Sequence, residues 1–269
     1  MTYEPLETTS YRASDTNVVK IEHHKLLPST AALAREYALA GKPDRFVVFS
    51  EQQTTSPIIG TKLNEGDVEN GVFISLILRP SIFPSQAGLI GPLAATALLS
   101  AFEEHTTETA GIGWITDIIY DGKKIGGCSI EGKLNDYSSY EYMIISFALR
   151  LDNRTFSPRL TDMIRKVFDN ENPSVPMLIA RTILNKFFAV YADIKNPAKH
   201  MNFYKQKFAY YGQKVKFIKD GKKYSGKIAD VDKQNCILLV SDSDGNIVKI
   251  NSPSNVILSQ KFNLSKIFK

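Results

Sequence analysis

The residues best suited to do chemistry lie in the stretch from Gly111 to Gly132. Within it, the turn signal Asp121-Gly122 separates two apolar runs, so the segment is predicted to fold as a β-hairpin. A lysine at the turn end of a central strand, here Lys124, can neutralise a ligand carboxylate or α-phosphate. Asp117 can orient that lysine or hold a metal. The alternatives are a solvent-exposed turn lysine and an aspartate that only ends its strand.

Cys128 offers a second chemistry, since a nucleophilic cysteine can carry an acyl group as a thioester without ATP. Lys124, four residues earlier on the same strand, would stabilise its thiolate. The preceding Gly126 and Gly127 remove side chains in mid-strand, which usually marks a bulge or the close approach of another group. The alternative for Cys128 is a small core residue, and no histidine is spaced to act as its base.

The composition, 43% hydrophobic and 23% charged over 269 residues with a net charge of +5, is ordinary for a soluble protein. Neither a leader sequence nor an apolar stretch long enough to span a bilayer is recognised, which predicts a cytoplasmic protein with no membrane contact. Cys128 and Cys236 lie on separate predicted strands, so no disulfide is expected. The adjacent His23-His24 would point to opposite strand faces, and no metal site is predicted.

Three regions differ in pattern. Residues 1–17 are polar without an apolar period, which predicts a flexible N-terminal arm. Residues 18–211 alternate buried strands with helices, which predicts an α+β domain with one mixed twisted sheet covered by helices on one side. Residues 212–269 are rich in short strands and turn signals, which predicts a small closed β-barrel of SH3 type.

The predicted helices are Thr30–Ala40 with Ser29 as its N-cap, Ser85–His105 with a second start at Gly91-Pro92, Pro158–Asp169, Val175–Ile194 and Pro197–Tyr211. The predicted strands of the larger domain are Val18–Ile21, Arg45–Ser50, Val72–Pro80, Gly113–Tyr120, Ile125–Ile130 and Tyr140–Leu151.

The central stretch resembles the signature of biotin protein ligases. That family has a Lys-Trp-Pro-Asn-Asp strand followed by Lys-x-x-Gly-Ile-Leu-x-Glu. The matching residues of this chain are Trp114, Asp117, Lys124, Gly127 and Glu131. The chain has Gly113 in place of the first family lysine and Ile115-Thr116 in place of Pro-Asn. The resemblance implies the class II synthetase-like biotin/lipoate ligase fold, with an SH3-like β-barrel following it. The residues before Val18 do not have the pattern of a helix-turn-helix for DNA, which some members of the family carry.

The resemblance implies ATP-dependent attachment of biotin to a lysine of a biotin carboxyl carrier protein, through biotinyl-adenylate and with magnesium. A homodimer is compatible with it. It assigns catalytic roles to Lys124 and Asp117. The ligand-binding residues that it implies are Ser29, Thr30, Gln53, Trp114, Gly126 and Gly127.

Departures from the family pattern predict that this activity is weak or lost. The family covers the adenylate with an arginine- and glycine-rich loop, and this chain has Thr55–Lys62, which keeps only Gly60 and Lys62 of that pattern. In the strand Tyr140–Leu151, Ser146 and Ala148 replace two ligand-facing glycines, and Arg150 replaces an asparagine. We expect Arg150 to point to solvent past the strand end.

Two further hypotheses stay open. The chain could be a non-catalytic descendant of the family that senses a ligand or binds a protein. It could instead be a lipoyl or octanoyl transferase that uses Cys128 as its nucleophile, as relatives within the same superfamily do.

Overall fold

The computed structural model describes residues 3–14, 17–55, 67–82, 84–106, 109–151, 175–219, 222–232, 236–242, 244–251 and 256–258. Within this part, the strands are β1 Glu7–Ser14, β2 Asn17–Leu27, β3 Phe46–Gln53, β4 Glu69–Leu78, β5 Gly111–Gly113, β6 Asp117–Tyr120, β7 Lys123–Leu134, β8 Tyr140–Arg150, β9 Lys214–Lys219, β10 Lys222–Val231, β11 Leu238–Ser241, β12 Ile247–Ile250 and β13 Val256–Leu258. The helices are α1 Thr30–Leu39, α2 Pro84–Ala87, α3 Ile90–Glu104, α4 Val175–Ala192 and α5 Ala198–Gln206.

In the described part of the chain, eight strands form one mixed twisted sheet in the order β1-β2-β3-β4-β8-β7-β6-β5. Strands β2 and β3 are parallel and are joined through α1, while the other neighbours are antiparallel. The predicted α+β class with one mixed sheet is therefore confirmed. The prediction that helices cover only one side of the sheet is wrong, because α1 packs on the face opposite α3 and α4. The predicted helix Pro158–Asp169 lies outside the described residues.

The two faces of this sheet are covered unequally. On one, the α3/α4 face, side chains such as Ile74, Ile145 and Phe147 pack with α3 and α4 in a large apolar core. On the other, the α1 face, Val48 and Ile144 belong to a smaller cluster that packs with α1. Because adjacent strand residues alternate between faces, the central strands contribute to both.

The start of α1 follows its predicted capping chemistry. Ser29 is the N-cap, with extended backbone, and its hydroxyl accepts a hydrogen bond from the backbone N–H of Ala32 at 3.3 Å. The long predicted helix from Ser85 is divided into α2 and α3, and Pro92 lies in the first turn of α3. A proline is tolerated there because the first-turn N–H groups have no partner within the helix.

Two sequence expectations are wrong in detail. Residues 7–14 are not a loose arm, because Glu7–Ser14 forms the edge strand β1. In this strand, the ring centroid of Tyr11 lies 5.1 Å from Cζ of Arg181. The predicted strand Gly113–Tyr120 is interrupted by a turn at 114–116, so it forms two strands that pair with each other. The predicted turn at Asp121-Gly122 is confirmed, with positive φ angles of 46° and 70°.

The remaining described strands form a separate antiparallel sheet in the order β12-β11-β10-β9-β13. Two hydrogen bonds attach the turn at 114–116 to this part of the protein and to α5. The indole N–H of Trp114 donates to the carbonyl of Cys236 at 2.7 Å, and the hydroxyl of Tyr204 donates to the carbonyl of Ile115 at 2.9 Å. Among the described helices, none combines the length and apolar character needed to cross a bilayer.

The Trp114 hydrogen bond predicts a stability change. Replacing Trp114 by Phe should lower the free energy of unfolding by about 1 to 3 kcal/mol, because the phenyl ring is smaller and cannot donate to Cys236. Urea titration followed by circular dichroism measures this, since the chain has one tryptophan and the variant has none. The control Tyr137→Phe, at a side chain that is 89% exposed, should leave stability unchanged. Equal stability of Trp114→Phe and wild type would show that the hydrogen bond from Trp114 to Cys236 does not stabilise the protein.

Candidate functional site

A row of residues on the α1 face crosses four strands. Phe73 lies opposite Ala148, Ala148 opposite Gly127, and Gly127 opposite Asp117. Residues directly opposite each other in a sheet point to the same face. At the end of the row, the ammonium group of Lys124 lies 2.6 Å from Oδ1 of Asp117. The hairpin thus brings the two candidate catalytic residues into contact, with side chains that are 29% and 30% exposed.

A buried chain of polar groups lies on the same face. The backbone N–H of Thr30 donates to Oε1 of Gln53 at 2.6 Å, and the hydroxyl of Ser75 donates to Thr30 Oγ1 at 3.0 Å. Ser75 Oγ is also 2.9 Å from Ser146 Oγ. These four residues, which we call the polar cluster, come from α1, β3, β4 and β8 and are all buried. The structure therefore joins Thr30 and Gln53, which are far apart in sequence.

Two of the other residues that the resemblance assigns to ligand binding have structural roles. The hydroxyl of Ser29 caps α1, and the indole N–H of Trp114 is hydrogen bonded to the carbonyl of Cys236. Trp114 also lines a groove of about 630 Å³, together with Asp117, Cys128 and the start of α3. The side chain of Trp114 is only 6% exposed. Its indole nitrogen is thus already engaged within the protein.

The paired glycines on β7 differ in their surroundings. A Cβ atom at Gly126 would lie 2.6 Å from the carbonyl oxygen of Ala148 and 3.3 Å from Leu149 Cδ1. The expected close approach to the backbone is therefore real, and the approaching group is the neighbouring strand. Gly127 instead belongs to the row on the α1 face.

Cys128 lacks the environment of an activated nucleophile. It lies opposite Phe147 in the large core and is 5% exposed. Burial raises the pKa of its thiol well above the ordinary value, Asp117 raises it further, and Lys124 offsets only part of the shift. The thiolate that nucleophilic catalysis requires is thus disfavoured.

The expectation that Arg150 points to solvent is wrong. Arg150 is 6% exposed, and its Nε donates to Oε1 of Glu69 at 2.6 Å. Glu69 is fully buried on the adjacent strand and supplies the counter-charge. The apolar pattern of the sequence predicts that this strand begins at Val72, and so it places Glu69 in the preceding loop.

The segment Thr55–Lys62 replaces the arginine- and glycine-rich loop of the family. Its residues 56–62 lie outside the described residues.

The chain is similar in sequence to two curated proteins, although no protein-family model matches it. The bifunctional ligase/repressor BirA of Bacillus subtilis is 33% identical over 109 residues, which are 40% of this chain and 34% of BirA. The BirA of Bacillus spizizenii is 29% identical over a stretch of the same length. The chain thus aligns with about a third of the length of these curated relatives.

Among solved structures, biotin protein ligase from Aquifex aeolicus in complex with biotin and ATP has a TM-score of 0.63 at 17% identity, over 89% of this chain and 99% of that one. This chain has the biotin protein ligase fold. A biotin protein ligase-like protein of unknown function from Silicibacter shares the fold with a TM-score of 0.61 at 14% identity, over 87% and 94% of the two chains. The resemblance to biotin protein ligases read from the central stretch is confirmed.

The crowding at Gly126 predicts a stability difference between two glycine variants. Gly126→Ala should lower the free energy of unfolding by about 1 to 3 kcal/mol, because the added methyl group meets backbone that cannot move away. Gly88→Ala is the matched control, since a Cβ there meets nothing within 4 Å. Thermal unfolding compares the two, and a Gly126→Ala variant as stable as Gly88→Ala would show that β7 and β8 are not so closely paired.

Proposed function

We propose that this chain is a biotin protein ligase-like protein that binds biotin and ATP and transfers biotin to a lysine of a carrier protein, with weak activity. The observation that carries the proposal is the contact between Lys124 and Asp117 on the same sheet face as Gly127 and the polar cluster. Lys124, Asp117 and Gly127 are positions at which the sequence resembles the family.

The polar cluster fits a ligand with a neutral polar ring, such as the ureido ring of biotin. Thr30, Gln53 and the Ser75 hydroxyl offer both donors and acceptors within a buried surface, while the Ser146 side chain occupies space that the ligand needs. Neutral hydrogen-bonding groups avoid the large cost of burying a charge, and they discriminate by geometry. The likeness in fold to an Aquifex aeolicus ligase solved with biotin supports this assignment.

Lys124 is proposed to neutralise the biotin carboxylate or the α-phosphate of ATP, and Asp117 holds it in place. A cation fixed before the reaction stabilises negative charge that develops as the biotin carboxylate attacks the α-phosphate of ATP and pyrophosphate leaves. Magnesium, when bound with ATP, would supply further positive charge at the phosphates. Weak activity is proposed because residues 55–62 carry none of the family's arginines. Without each such arginine, transition-state binding is weaker by about 1.5 to 3 kcal/mol.

The finer organisation of the chain belongs to the same proposal. We propose that the domain boundary lies near residue 212, and that the second sheet closes as an SH3-like barrel beside the ligase-like domain. A cytoplasmic location and an encounter with a carrier protein would follow from that activity. A homodimer is compatible with it.

Biotin transfer tests the proposal directly. Wild type incubated with biotin, ATP, magnesium and a carrier protein should give slow labelling of the carrier lysine. Lys124→Gln should reduce the rate about 100-fold or more, because the fixed cation is removed. The control Lys123→Gln, at the exposed neighbouring position, should retain the rate. No transfer by wild type would favour a non-catalytic descendant, whereas equal transfer rates for both variants would remove the catalytic role of Lys124.

The side chains at Ser146 and Ala148 predict a gain in biotin affinity. They share the α1 face, where Ser146 joins the polar cluster and Ala148 lies in the row with Gly127. Replacing both by glycine should strengthen biotin binding by about 10- to 100-fold, since occupied space is returned to the ligand. Calorimetric titration measures the affinity. The matched control Ser225→Gly with Ala229→Gly, on β10 of the second sheet, should bind as wild type does. If wild type, the double variant and the control bind biotin equally tightly, Ser146 and Ala148 do not line the biotin site.

A further inference from the structure

Glu69 and Arg150 form an ion pair on the α1 face that is almost completely shielded from solvent. Their exposed fractions are 0% and 6%. Nε and one terminal nitrogen of Arg150 lie 2.6 and 2.5 Å from the same carboxylate oxygen, Oε1 of Glu69. One oxygen of the carboxylate thus accepts both of these hydrogen bonds.

The second oxygen of Glu69, Oε2, is buried and has no hydrogen-bond partner in the described part of the chain. Buried polar atoms in folded proteins are almost always hydrogen bonded, so each exception requires a reason. A fork-shaped pairing with arginine would have used both oxygens. Oε2 is therefore an acceptor for a donor that the described chain does not supply.

This oxygen belongs to a residue that borders the polar cluster. Glu69 lies directly opposite Gln53 across the β3–β4 pair, and Gly71 lies opposite Arg150. Gln53 already accepts the Thr30 N–H through Oε1. Arg150 shares its face with Ser146 and Ala148 by the alternation of β8. The ion pair thus forms one end of the surface proposed to bind the ligand.

We infer that Glu69 is a specificity-determining residue of this surface. Its Oε2 accepts a hydrogen bond from a neutral or cationic ligand group beside Gln53, and its negative charge disfavours a phosphate group there. The inference rests on the proposed function in one respect, that the α1 face binds a small ligand. A carboxylate repels phosphate oxygens strongly where burial limits screening. It also engages Arg150, whose guanidinium group would otherwise suit a phosphate.

A matched pair of probes tests this selection by charge. ATP and adenosine share the nucleoside and differ in the triphosphate. By calorimetric titration, the ratio of ATP affinity to adenosine affinity should rise about 100-fold from wild type to Glu69→Gln. The variant Glu69→Gln with Arg150→Gln removes both charges and should give a ratio between those two. This double variant also avoids an unpaired buried arginine, so it keeps the test informative if Glu69→Gln is unstable.

Glu103→Gln is the control, because Glu103, on α3, forms an ion pair with Lys207 that is partly exposed and lies outside the α1 face. Its ratio of affinities should equal that of wild type. A ratio unchanged in both Glu69 variants, or no binding of either probe to any protein, would overturn the inference. If wild type transfers biotin but the Glu69 variants have the affinity ratio of wild type, only the inferred role of Glu69 is rejected. If the ratio changes in the Glu69 variants but wild type does not bind biotin, the proposed function is rejected and the role of Glu69 stands.

Discussion

The pairing register between β4 and β8 is the constraint on which the rest of the structure depends. It places Ile74 opposite Phe147 on the side packed by α3 and α4, and Ser75 opposite Ser146 on the other side. A shift of one residue would turn the serines into the apolar core and the aromatic ring toward α1. The large apolar core penalises that shift heavily, because it would bury unpaired hydroxyl groups among aliphatic side chains. The stability of one face thereby specifies the chemistry available on the other.

Local signals are sufficient to predict much of the fold. The turn at Asp121-Gly122, the cap at Ser29 and the change to short strands after Gly212 each depend on nearby residues, and the structure contains all three. The contact between Lys124 and Asp117 is also local, because one hairpin sets it. Edge strand β1 escapes prediction because its sequence is polar, and its pairing with β2 supplies the backbone hydrogen bonds that composition does not reveal.

The parts of the site that the sequence does not reveal are pairings between distant positions. Glu69 and Arg150 are separated by 81 residues, and each alone looks like an ordinary surface charge. The indole of Trp114 is hydrogen bonded to a carbonyl 122 residues away, so its motif position gives no hint of a structural role. Such pairings depend on strand order, which one sequence without relatives does not specify. The departures from the family pattern, such as Arg150 in place of an asparagine, show which positions differ but not which residues they contact.

The turn at 114–116 has a mechanical consequence for the site. It is held from outside by the bond from Trp114 to Cys236 and by Tyr204 of α5, and it leads directly into Asp117. The smaller sheet and its loops therefore act as a remote anchor for the carboxylate that positions Lys124. A molecule that broke these hydrogen bonds would loosen the ion pair between Lys124 and Asp117 without contacting either residue. Substitutions in the smaller sheet would act on this ion pair in the same way, without changing Lys124 or Asp117 themselves.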